Sequence, residues 1–240
     1  MLGGGAWSGR IFASRRGTLM GLSGNSSVPS VITTDRGLPE AFAGAAEELR
    51  RARYRSELLV REIAAPENIA PNAVAFAAGV RPGAVDAHAT IDSPDGAGRL
   101  VLLHDPDSVA EWGGEFRIVC YAQAPLEIEL GVDPFIVDVA WSWLIDALAS
   151  RDAEYTAASG TATKTLSSGF GTLASQGDGA QLELRASWTP LGENLDAHAA
   201  AWSELLCLLA GLPHHEGVAS LQAHAANRRP GTDRGLRSRG

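Results

Sequence analysis

The sequence predicts an α+β fold: a mainly antiparallel sheet of about five to seven strands with three helices packed on it. Two observations carry this. Strand-like segments come in groups instead of alternating with helices, so parallel crossover units are not the repeating element. Several of those segments also alternate apolar and polar residues, as a sheet with one buried and one wetter face requires. Three longer stretches show the wide apolar stripe of helices that cover such a face.

The first helix is expected over 39–53. Pro39 suits its first turn, and Phe42, Ala45, Ala46, Leu49 and Ala52 follow at helical spacing. Glu47 precedes Arg51 by one turn, a favourable pair. A short extended run at 57–63 follows, with Leu58, Val60 and Ile63. Pro66 and Pro71 interrupt the chain, and Val74, Phe76, Ala78 and Val80 mark a second strand. The stretch 81–98 is rich in turn formers and reads as a loop. Strands follow at 99–104, Leu-Val-Leu-Leu at its centre, and at 115–123. In the latter Phe116, Ile118 and Cys120 share one face and Arg117, Val119 and Tyr121 the other. The second helix is expected over 133–149, capped by Asp133 with Pro134 behind it. Its apolar face is Ile136, Val139, Ala140, Trp143, Leu144, Ala147 and Leu148, with Val137, Trp141 and Ile145 beside it. Residues 160–168 read as a partly exposed strand. Residues 181–188 alternate Leu182, Leu184, Ala186 and Trp188 against Glu183, Arg185 and Ser187. A third helix, 195–210, follows an Asn194 cap and ends at Gly211 with Pro213 beyond.

Charge divides the chain of 240 residues into three parts. Residues 1–33 lack a hydrophobic period and begin with Arg10, Arg15 and Arg16 and no acid in the first 30. They are expected to be a disordered basic extension. Residues 222–240, with five arginines against Asp233, are expected to be a disordered basic tail. Between them, 34–221 forms one acidic domain; 31–221 holds 12 basic and 27 acidic residues, a balance of −15 inside a total of −8. Such a body repels phosphate backbones, so nucleic acid is an unlikely partner except weakly through the tails. No apolar run approaches the ~18 residues of a membrane span. Ser14-Arg-Arg16 resembles an export signal, but the polar stretch after Gly21 replaces the required apolar segment, and Met20 is an alternative start. Cys120 and Cys207 sit in apolar segments and read as small buried hydrophobes.

Few residues suggest chemistry. His104-Asp105-Pro106 stands at a strand end, where an imidazole beside a carboxylate can serve as acid–base machinery or metal ligands; Asp-Pro is equally a turn. His88, Glu111 and Glu115 have no recognised metal-ligand spacing. His214-His215-Glu216, with His198 on the preceding helix, could bind a metal, but adjacent histidines just past a helix end read as solvated, and no metal or cofactor is expected. Gly169-Phe-Gly-Thr-Leu-Ala174 matches a dinucleotide fingerprint formally, yet a Gly-rich turn and a strand follow where the fingerprint needs a helix. Arg117 and Arg185 project from the wetter faces of two strands, either to bind an anion or to pair with Glu115 or Glu183. Trp143, Trp188 and Trp202 fall on core stripes and are expected to pack together. Trp112 and Trp141 do not, and an exposed pair would suit an interface.

Leu100-Val-Leu-Leu-His-Asp-Pro106, Trp112-Gly-Gly-Glu-Phe-Arg117, Asp133-Pro134, Trp141-Ser-Trp-Leu144, Phe170-Gly171, Arg185-Ala-Ser-Trp-Thr-Pro190, Ala197-His198, Ala201-Trp202, Leu205-Leu-Cys207 and Ala210-Gly-Leu-Pro213 occur in one order. Over roughly 35–213 the chain resembles the actinobacterial domain-of-unknown-function 3000 family. The resemblance implies a cytoplasmic actinobacterial protein and no particular reaction, and it transfers no functional residue. Two readings of function follow. One is a non-enzymatic adaptor or regulatory module working through contacts with a protein partner or a second copy. The other is a small enzyme or ligand-binding protein whose site opens around His104, Asp105 and Arg117.

Overall fold

A computed structural model describes residues 39–83 and 88–213, all within one compact unit. The terminal extensions and His214-His215 lie outside the described residues. Six strands form one antiparallel sheet in the order β1-β2-β3-β4-β6-β5. The strands are β1 (Leu58–Ile63), β2 (Asn72–Val80), β3 (Ala97–His104), β4 (Phe116–Leu126), β5 (Tyr155–Ser168) and β6 (Asp178–Pro190). The first four make a meander. The chain then crosses to the far edge to lay down β5 and returns as β6, which fills the place between β4 and β5. β6 is therefore paired on both sides and β5 on one.

The helices are α1 (Glu40–Arg51), α2 (Val109–Trp112), α3 (Ile128–Val132), α4 (Ile136–Ala149) and α5 (Leu195–Leu209). The three long ones are those the apolar periodicity predicts. The two single turns are additions, too short to leave a periodic stripe in the sequence. α1, α4 and α5 bury their stripes in one core with the inward residues of the sheet: Val74, Phe76, Leu100, Leu102, Ile118, Cys120, Leu182, Leu184 and Trp188. This parity is the period-2 alternation of the strands made physical. Cys120 and Cys207 are both free and buried, and burial pushes each thiol up to about 12.

Three local expectations are corrected. Asp133 does not cap a helix at 133: its carboxylate accepts from the Phe135 amide at 2.8 Å, which makes Asp133-Pro134 a turn, and α4 begins at Ile136. Asn194 makes no side-chain cap either; Glu48, reaching from α1, accepts from the Leu195 amide at 2.9 Å. The opposite face of the sheet is not wet throughout. Ala75, Val101, Leu103 and Val119 form a second small core there under Trp112. Gly211 closes α5 in the left-handed region, φ 72°, as its position predicts.

Candidate functional site

The His104–Asp105–Arg117 constellation does not assemble. His104 pairs with Phe116 across β3–β4, whereas Arg117 pairs with Leu103, so the two side chains leave the sheet on opposite faces. His104 is buried on the helical side, stacked on Phe42 and tilted against Phe116, with ring centroids 5.9 and 4.7 Å away. Asn72 donates to its Nδ1 at 3.3 Å, and its Nε2 lies 3.7 Å from a Glu115 oxygen. Asp105 is turned into its own backbone: it accepts from the Asp107 amide at 3.0 Å and the Ser108 hydroxyl at 2.7 Å. Both oxygens are occupied in capping a 3-10 turn, and neither reaches His104 as an acid–base partner.

Arg117 is 8% exposed and binds neutral oxygens alone among the described residues: Ala157 O (2.9 Å), Thr189 Oγ1 (3.0 Å), Ser187 Oγ (2.7 Å) and Ser159 Oγ (3.4 Å). Burial lowers its pKa. Ala157 has φ 50° and sits in a register shift of the β5–β6 ladder, so the guanidinium fixes an irregular bulge by gripping its carbonyl. The expected pairing with Glu115 is absent. Arg185 is exposed, donates to Glu183 two residues away on its own strand at 2.6 Å, and lies 5.3 Å over the Tyr121 ring. Trp112, expected as a possible surface residue, is 6% exposed and roofs the second core. The core tryptophans pair with other rings: Trp202 meets Tyr54 edge-on and Trp188 faces His198.

The sequence assigns Glu204 no role, and His198 is weighed there only beside His214-His215; both are buried. Glu204, on α5, is fully buried between Arg55 and Arg151, at 3.1 and 3.0 Å. Arg55 also pairs with Glu57 and donates to Pro213 O at 2.9 Å; the pairing holds Glu57 down at about 2. The only sequence signal was an acid inside the apolar run from Ala201 to Leu206. His198, 1% exposed, accepts from Trp188 Nε1 at 3.1 Å through Nδ1, which places its proton on Nε2, and Nε2 has no partner among the described residues. Burial depresses its pKa to about 4. The fold therefore holds His198 neutral. Its contribution is complete above the ordinary value near 6.5 and is lost as pH falls from there toward 4, where the folded protein too takes up the proton. We expect this one residue to remove about 3 kcal/mol across that interval. Urea unfolding at several pH values checks it: the His198→Phe variant should lose that part of the slope.

A cleft of about 230 Å³ opens between α1 and the β1–β2 edge, lined by Phe42, Ala46 and Val74 and bridged by the Arg50–Glu62 pair at 2.8 Å. It presents no acid–base group beyond that pair. Among the described residues no three His, Cys, Asp or Glu side chains gather as a metal site would need. No described helix is long and apolar enough to cross a membrane.

The exposed apolar side chains concentrate elsewhere, along and beyond the β5 edge. Val132, Phe135, Leu166 and Phe170 are 60, 67, 53 and 82% exposed, and Leu130 and Leu173 accompany them. α3 turns tightly onto this corner, because a Cβ at Gly131 would stand 2.9 Å from Leu166 Cδ2. Lys164 folds back to donate to Asp133 O at 2.8 Å. On α4, Val137, Trp141 and Ile145 form a half-buried flank one turn apart. Trp141 shows which way that flank faces, since a Cβ at Gly160 of β5 would lie 2.7 Å from its ring.

The model of a family described as protein of unknown function (DUF3000) matches residues 38–219. The chain belongs to that family. The match takes in every helix and strand described above, so both the β5 edge and the buried polar groups lie within the family's domain. No curated protein and no solved structure matches the chain.

Proposed function

We propose that this domain is a non-enzymatic adaptor or regulatory module that acts through protein contacts at the β5 edge. One observation carries the proposal: the large exposed apolar side chains Val132, Phe135, Leu166 and Phe170 collect beside an edge strand paired on one side only. Large apolar side chains gathered at the surface of one edge mark interaction sites. Trp141, on the adjoining flank, adds the aromatic anchor that interfaces favour. The enzymatic alternative has no comparable support, since His104 and Arg117 face away from each other and Asp105 serves a turn. Two free buried cysteines suit a reducing compartment, and we place the protein in the cytoplasm.

A photo-crosslinking amino acid at Phe170 tests the reading in the producing cell, with the exposed Ile69 as the control position. We expect discrete protein adducts at Phe170 and none at Ile69. Equal or absent adducts at the two positions overturn the proposal.

A further inference from the structure

The two edges of the sheet are built differently. β1 has six residues and carries Arg61 and Glu62, and Glu62 is tied to Arg50 of α1. Short, charged edges resist pairing with another chain. β5 has 14 residues, no acid, no proline and one charge, Lys164. That charge is folded onto the Asp133 carbonyl of its own chain. Beyond the register shift at Thr156/Ser159, the strand is regular from Ser159 to Ser168. In a body with an excess of 15 acids, this is a long, nearly neutral strand left with one free edge.

We infer that β5 pairs antiparallel with β5 of a second copy of this chain, joining two sheets into one of twelve strands about a two-fold axis at Thr163. This inference rests on the β5 edge being an interaction surface. A two-fold contact must be self-complementary, and this register is. Thr163 meets its own copy, Thr161 meets Thr165, and Ser159 meets Ser167, which places hydroxyl side chains opposite one another on the outer face. On the helical face Lys164 comes opposite Ala162, so no like charges stand directly opposed. Leu166, 53% exposed although its Cδ2 lies against Gly131 of α3, comes opposite Gly160. That position has no side chain and is roofed by the Trp141 ring. The exposed leucine of each copy thus meets the bare strand and half-buried tryptophan of the other. A shift of the axis to Lys164 would set the two ammonium groups opposite each other, so charge disfavours that neighbouring register.

Sedimentation equilibrium of the full chain supplies the first test, with twice the monomer mass expected at about 100 μM, a concentration at which a micromolar dimer is saturated. Leu166→Glu should shift the chain to monomer at that concentration while its circular dichroism and unfolding midpoint stay near those of the parent. Thr163→Cys should form an intermolecular disulfide on mild oxidation, whereas the exposed Val109→Cys should not. Cys120 and Cys207 are buried and stay out of the reaction. A monomeric parent overturns the inference, as does a dimer indifferent to Leu166→Glu or an equal yield of disulfide at Val109→Cys. Adducts between Phe170 and another protein, together with a monomeric chain, would leave the adaptor reading standing and remove the dimer alone.

Discussion

Replacing Glu204 with alanine is expected to destabilise the protein by about 3–5 kcal/mol, the cost of breaking a buried ion pair. The carboxylate is fully buried and has Arg55 on one oxygen and Arg151 on the other. Removing it leaves two guanidinium groups facing each other with less to compensate them. Arg55 is the worse placed, because its side chain is 5% exposed. The loss reaches beyond α5. Arg55 lies between α1 and β1, Arg151 lies between α4 and β5, and Arg55 also holds the Pro213 carbonyl. Three separate connections therefore loosen together. Equilibrium urea unfolding followed by tryptophan fluorescence measures the change. A loss near that of an exposed pair, about 0–1 kcal/mol, would falsify this account of the cluster. Replacing Arg55, Arg151 and Glu204 together with apolar residues of similar volume should cost less than Glu204→Ala alone, since no charge then remains buried without a partner.

Trp202→Ala should cost about 3–5 kcal/mol, chiefly by opening a cavity. The indole is fully buried, meets Tyr54 edge-on at 6.2 Å and donates to the Tyr121 carbonyl at 3.4 Å. It reaches the sheet because Gly98 leaves room: a Cβ there would lie 3.1 Å from Trp202 Cζ2 and 3.0 Å from the Tyr121 oxygen. That close approach gives the measurement a second arm. Gly98→Ala should be clearly destabilising in the parent and milder in the Trp202→Ala background. A double-mutant cycle with no coupling between the two positions would show that the indole is not seated against Gly98.

Periodicity made most of the sheet and the long helices legible. Strand β3 declares itself by a short apolar run, β4 and β6 by alternation, and α5 by the stripe Leu195, Ala199, Trp202, Leu205, Leu206 and Leu209. Failures came where local chemistry admits two geometries. Asp133-Pro134 satisfies a helix start and an Asx turn equally well, and packing placed the helix two residues later. The start of β5 at Tyr155 lies among small residues and a bulge with no alternation to announce it. The single turns α2 and α3 span little more than one helical period, too few residues for a repeat to show. Glu204 and His198 fall on an apolar helix and become visible only once Arg55, Arg151 and Trp188 converge on them from distant segments.

By itself, the sequence determined the α+β class, the antiparallel grouping, the three covering helices and the face of β4 from which Arg117 projects, because each depends on a repeat of two or 3.6 residues along the chain. Only the tertiary structure decided that His104 belongs to the opposite face, that Trp112 is a roof and that β5 is the bare edge. Those facts depend on register and strand order, which are set by which distant residues bury one another, and a local repeat does not encode that choice.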